Sequence, residues 1–202
     1  TILRWAGYAS LAGAAVSLVA ALLVLRRRPR RGLLPAAAGL ALGLLVAAVP
    51  LTYLRAARSV PPIHDISTDM DDPPDFVAIL ALRANAPNSA AHAGASIAGQ
   101  QREAYPDIVP IVLPLAPQQA FTKALAATRA LGWEVVAAVP EDGRIEATDR
   151  TFWFGFRDDV VVRVKPRNGG SVIDLRSVSR VGRSDVGANA KRIRRFAREI
   201  DN

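Results

Sequence analysis

"VVVRVKPRNGGSVIDLRSVS", Val160 to Ser179, decides the fold. Two runs rich in β-branched residues flank Asn168-Gly169, a dipeptide suited to the left-handed positions of a tight hairpin turn. Centring the turn there sets Val164 opposite Ile173, Val162 opposite Leu175 and Val160 opposite Ser177 on one face. Arg163 then meets Asp174 on the other face, a favourable cross-strand pair. A slip of one residue would mix apolar and charged positions, so the register is well specified.

The neighbouring sequence extends the sheet. "WEVVAAV" (Trp133–Val139), the turn "PEDG" and "RIEATDR" (Arg144–Arg150) read as a second hairpin. Before it, Pro117 suits the first position of a helix and Gly132 its stop. Phe121, Ala124, Leu125, Thr128 and Leu131 share one face of that helix. After the hairpins, Val186, Ala190, Ile193, Ala197 and Ile200 form an apolar stripe widened by Phe196, with the basic residues opposite. Residues 105–202 are therefore expected to form a small two-layer α+β sandwich of a four-stranded antiparallel sheet and two helices. An edge strand drawn from the extended segments upstream is compatible with it.

Residues 59–104 are expected to be an extended segment and linker. "PPIHDISTDMDDPPDF" (Pro61–Phe76) has two Pro-Pro pairs, which oppose helix and central strand. "ANAPNSAAHAGASIAGQQREA" (Ala84–Ala104) is small and polar without periodicity and reads as a long loop.

Residues 1–58 read as a transmembrane helical hairpin. No charge falls between Trp5 and Leu25, nor between Gly32 and Leu54. Each run, about 5–25 and 32–54, reaches the roughly 20 residues that cross a hydrocarbon core. "RRRPRR" (Arg26–Arg31) is the turn between them. A cleaved signal peptide fits poorly, because the arginines follow the first apolar run and no small-residue cleavage site separates the two. Positive-inside bias puts the arginine turn in the cytoplasm. The expected location is a bacterial inner membrane, with the soluble part and both ends of this chain on the periplasmic side. Ala9, Gly13, Ser17 and Ala21 recur every four residues, and Gly39 and Gly43 form a G-x-x-x-G. Such small-residue faces pack on each other or receive helices of other membrane subunits.

The formal charge of +8 invites a nucleic-acid reading, but its distribution removes it. Of the 26 basic residues, six lie before residue 55, where there is no acid. The remaining 20 stand against 18 acids. No nucleic-acid partner is expected; the bilayer and other membrane subunits are.

Several clusters were candidates for chemistry. At "SRVGRSDVGAN" (Ser179–Asn189) the last helix begins after glycines, with Arg180 and Arg183 nearby. Such a terminus can take an anion. Asp185, however, sits where an N-cap should, and its charge would oppose one; the cap is the preferred reading. Arg176 and Arg180 have Asp158, Asp159 and Asp174 as possible partners. The run His64, Asp65, Asp69, Asp71, Asp72 and Asp75 offers hard oxygen ligands, but lacks the glycine and distal glutamate of a calcium loop. It reads as turn-forming aspartates, and no metal or cofactor is expected. "FWFGF" (Phe152–Phe156) is either a core-and-edge cluster or an apolar pocket or bilayer-facing surface. The candidate ligand-binding residues are Phe152, Trp153, Phe154, Phe156, Arg180 and Arg183. No G-x-S-x-G, P-loop or cysteine occurs, and adjacent Asp158 and Asp159 point to opposite faces of a strand. No catalytic residue is assigned.

"IHDISTDMDDPPDF", "AYPDI", "LGWEVVAAVPEDGRIEATDRTFWFGFRDDVVVRV" and "DLRSVSRVGRSDVGANAKRIRRF" resemble a bacterial family known as domain-of-unknown-function family 1499. The resemblance covers most of Ile63 to Phe196. It implies a shared domain, often behind N-terminal membrane helices, and brings no activity or ligand. The expected role is non-catalytic: an accessory or scaffold subunit of a larger inner-membrane complex. The alternative is a binding module for a lipid, pigment or other apolar ligand at the membrane surface.

Overall fold

A computed structural model describes residues 2–26, 32–92, 94–151 and 155–202. The chain forms two compact units, Thr1–Ser59 and Val60–Asn202.

The first unit is a helical hairpin of α1 (Ile2–Leu25) and α2 (Leu33–Arg58). Both helices are long and apolar enough to cross a membrane. Their small residues pack on one another. A Cβ added at Gly39 would lie 2.6 Å from Ser17 Oγ, and one at Gly43 2.8 Å from Ala14 Cβ. The G-x-x-x-G therefore serves the close approach of α1 and α2. On α1 the inner seam is Gly7, Ser10, Ala14, Ser17, Ala21 and Val24. Ala9 and Gly13, expected in the stripe, are exposed in this unit. Steps of four drift around the helix by roughly 40° each. Alternating steps of three and four stay on a seam, as in coiled coils.

The second unit holds β1 (Asp65–Ser67), α3 (Ala95–Ala104), β2 (Ile111–Leu113), α4 (Pro117–Ala130), β3 (Glu134–Val139), β4 (Arg144–Arg150), β5 (Arg157–Arg167), β6 (Gly170–Ser179) and α5 (Ala188–Asp201). The sheet has six antiparallel strands rather than four, in the order β1-β6-β5-β4-β3, with β2 also on β6. The β5–β6 hairpin has the expected register, including Val164 with Ile173 and Arg163 with Asp174. The two added strands come from Pro-flanked extended segments. β1 lies along Arg176–Val178 and β2 along Ser171–Ile173, end to end on one edge of β6. Three-residue strands between prolines are too short to show an alternation, yet they supply the backbone partners that β6 needs.

Residues 60–104 are accordingly part of the domain, not a linker to it. α3, expected as loop, carries Gln101, whose fully buried amide takes the Ser67 N–H at 2.9 Å and donates to the Ser67 carbonyl at 2.6 Å. One side chain thus acts as the next strand at the open edge of β1.

One sheet face carries Ile145, Ala147, Val160, Val162, Val164, Ile173 and Leu175 against Phe121 and Ala124 of α4 and Ala190, Ile193, Phe196 and Ile200 of α5. Trp133 stacks on Phe196 with ring centroids 5.8 Å apart. The other face is covered by residues 68–92, including a 3₁₀ turn at Ala78–Arg83; among the described residues its buried apolar cluster is Phe76, Ile79, Val161 and Val178.

Candidate functional site

The second sheet face is built from charge. Strand alternation puts Glu146, Thr148, Asp159, Asp174, Arg176 and Arg180 on this side, and the covering segment adds Arg83 and Asp65. Asp159 is fully buried and sits between two guanidinium groups, Arg83 at 2.7 Å and Arg180 at 2.8 Å. Arg180 donates twice, through Nε and Nη2, and Thr148 adds a fourth hydrogen bond at 2.7 Å. Burial pushes the Asp159 carboxyl up, but the bonds from Arg180, Thr148 and Arg83 overcome this and hold it below the usual carboxylate range. Arg176 is fully buried and grips Asp65 through Nε and Nη2 at 2.9 and 2.8 Å. It also donates to the carbonyls of Pro74 and Ala90 and lies over the Phe76 ring. Glu146 accepts the backbone N–H groups of Val77, Ala78 and Ile79, so it caps the 3₁₀ turn, and pairs with Arg144.

A second buried system stands on the helix side. Arg192 bonds Asp158 at 2.7 Å, Asp149 at 2.8 Å and the Asn189 amide oxygen. The Asn189 side chain donates to the His64 carbonyl and to Ser179. Asp158 and Asp159 thus serve opposite faces, as the strand geometry requires.

At the start of α5 the formal N-cap is Gly187, two residues later than expected. Asp185 still performs the capping. Its carboxylate accepts from Gly187 N–H at 2.8 Å and Asn189 N–H at 2.7 Å. Burial pushes its pKa up in spite of these bonds. Val186 takes φ 54° to make the turn, a conformation costly for a β-branched residue. The Tyr105 hydroxyl is buried beside this turn, and burial together with the Asp185 charge pushes it up.

The expected ligand residues do not converge. Phe152, Trp153 and Phe154 lie outside the described residues. Phe156 is about half exposed. Arg180 is committed to Asp159, so burial and pairing remove it from any anion site. Arg183 is exposed on the loop. In the aspartate run, Asp69 accepts the N–H groups of Asp71 and Asp72, Asp71 pairs with Arg102, and Asp72 pairs with Arg163 and Lys165. Among the described residues no group of three metal-binding side chains is placed to hold an ion.

Sequence reasoning placed Arg176 and Arg180 near carboxylates, and Arg180 does pair with Asp159. It missed Asp65 as the partner of Arg176, and Arg83 and Glu146 altogether. Arg176, alternating with Leu175 and Ser177 in a predicted strand, was the available signal, since such a side chain must find a carboxylate when buried.

A protein-family profile described as "Protein of unknown function (DUF1499)" matches residues 65–200. The chain belongs to this family. Its match begins at β1, so the Asp65–Arg176 pair and the covering segment are part of the DUF1499 domain. No curated protein matches the chain.

Proposed function

We propose that this DUF1499 chain is a non-catalytic accessory subunit of a larger bacterial inner-membrane complex. Its hairpin anchors the Val60–Asn202 domain on the periplasmic side. The observation that supports this is the use of four buried carboxylates. Asp65, Asp158, Asp159 and Glu146 are each tied to arginines or backbone N–H groups of the same domain. A general base needs a free proton-accepting position within reach of substrate, and these carboxylates are committed to holding the sheet and its cover together. The glycine face of α2 is taken up by α1. Partner helices would therefore meet the outward side of α1, where Ala9 and Gly13 lie.

Mild detergent extraction followed by native mass spectrometry tests the reading. A stoichiometric protein partner is the expected result. Recovery of the chain alone with a bound lipid would overturn it in favour of the apolar-ligand alternative. For the topology, a reporter active only outside the cytoplasm, fused after Asn202, is expected to be active, and a cytoplasm-only reporter there silent.

A further inference from the structure

Between the end of β4 and the outer face of α5 lies an open cleft of about 560 Å3 whose lining holds six basic side chains and one carboxylate, Asp149. Two of the six are answered within the domain: Arg192 by Asp149 and Asp158, Arg194 by Asp107. Arg195 stands 3.7 Å from the same Asp149. Arg150, Lys191 and Arg198 are exposed and have no ion pair among the described residues.

Three of the five α5 cations form one stripe. Lys191, Arg195 and Arg198 fall within about 60° of helix arc, opposite the buried Ile193, Phe196 and Ile200. Spacings of four and three place like charges side by side, which disfavours the helix. Lys191 also sits in the first turn, where the helix dipole opposes a cation. The fold retains a local conflict that an external anionic surface would relieve.

We propose that this face docks on the anionic headgroups of the bilayer that anchors the chain, with Arg150, Lys191, Arg195 and Arg198 meeting lipid phosphates. The inference rests on the reading of α1 and α2 as membrane spans. α2 ends at Arg58 and the domain begins at Val60. A lipid surface is therefore present at high effective concentration whatever else the chain meets. A basic polar face on an amphipathic helix is the surface that anionic lipid attracts. The cleft also includes Thr151, which opens the β4–β5 loop, and that loop carries the half-exposed Phe156. An apolar ring in that loop would add contact at the interface.

The chain has no cysteine, so single Ala188→Cys and Arg167→Cys variants can each carry a nitroxide. Ala188 lines the cleft. Arg167 lies at the other end of β5. The full chain is reconstituted into phosphatidylcholine vesicles, with or without about 30 mol% phosphatidylglycerol as the anionic lipid. Flotation with phosphatidylcholine alone reports insertion of the hairpin, separately from docking. With phosphatidylglycerol, the label at 188 is expected to lose access to a water-soluble relaxing agent, while the label at 167 keeps it. High salt should restore access at 188. Each basic residue near such a surface contributes roughly fivefold to partitioning, so Lys191→Glu with Arg195→Glu and Arg198→Glu should weaken docking at least a hundredfold, about. Melting of that variant in detergent checks that it is folded, and the lipid comparison on the unaltered stripe stands without it. Equal protection in phosphatidylcholine alone, no protection with phosphatidylglycerol, or protection unaffected by the reversals in a folded variant would each overturn the proposal. Restored access at 188 on adding millimolar orthophosphate at constant ionic strength would also overturn it, assigning the cleft to a soluble anion.

Discussion

The two faces of the DUF1499 sheet are held by different physics. The helix-covered face is a hydrophobic layer: Val160, Val162, Ile173 and Leu175 against Phe121, Ile193 and Phe196. The loop-covered face has a small apolar cluster and is tied down mainly by buried arginine–carboxylate pairs. Apolar packing is tolerant, because neighbours can relax toward a lost methyl group. A buried ion pair is not, because removing one partner strands a charge away from water. An irregular covering segment broken by Pro73-Pro74 and Pro87 cannot present a periodic apolar face, so discrete polar clamps attach it instead.

The largest expected effect comes from breaking the charged face at its centre. Asp159→Ala strands both Arg83 and Arg180 and should destabilise the full chain in detergent by about 3–5 kcal/mol in a denaturant titration. A loss below about 1 kcal/mol, typical of exposed pairs, would mean the two faces do not differ as described. Leu175→Ala, at the middle of the apolar face, should cost about 2–5 kcal/mol. It should leave the cover protected in hydrogen exchange, whereas Asp159→Ala should expose the amides of 77–92.

A smaller effect is expected at the start of α5. Asp185→Ala should cost about 0.5–2 kcal/mol, since two N–H groups lose their acceptor. Asp185→Asn should cost less, and the pH dependence sharpens the point. Its folded pKa is raised, so ionising Asp185 lowers stability as pH rises from the unfolded value toward the folded one. Asparagine avoids that cost at neutral pH, and the Asn variant should compare better with wild type at about pH 7 than at about pH 3.5. Asp159 runs the other way. Its folded pKa is depressed, so the stability it confers is complete above the unfolded value and is lost as pH falls through the folded one. Melting curves of wild type, Asp159→Ala and Asp185→Asn across acid pH separate the two signs. The smallest effect is reserved for the exposed Arg194–Asp107 pair: Asp107→Asn should change stability by less than about 1 kcal/mol, and less still in high salt.

The same contrast explains what could be read in the sequence. The β5–β6 hairpin was legible to the residue, because Asn-Gly fixes the turn and alternation fixes the register. α4 was legible from Pro117 and Gly132, and the inward face of α5 from its 3.6-residue stripe. β1, β2 and α3 were not. Two are three residues long, and α3 is marked by Gln101 and not by an apolar face. Their places depend on partners far along the chain. Glu146 in "RIEATDR" looks like an outward-facing strand residue until residues 77–79 arrive to be capped. The split of Asp158 from Asp159 followed from strand geometry, but which arginine each would meet did not.

β1 and β2 lie end to end on the edge of β6, and Asp65 and Arg176 are 111 residues apart. A chain emerging at about 5–20 residues per second spends several seconds to about 20 s between those two residues. Until Arg176 emerges, Asp65 lacks the guanidinium that clamps it, and the Pro-rich cover meets its partners only as Glu146 and Asp159 follow. The hairpin of α1 and α2 leaves the ribosome before the domain does, and the domain closes only after β6 has followed. The two long apolar helices are therefore complete while the covering segment still waits for its partners.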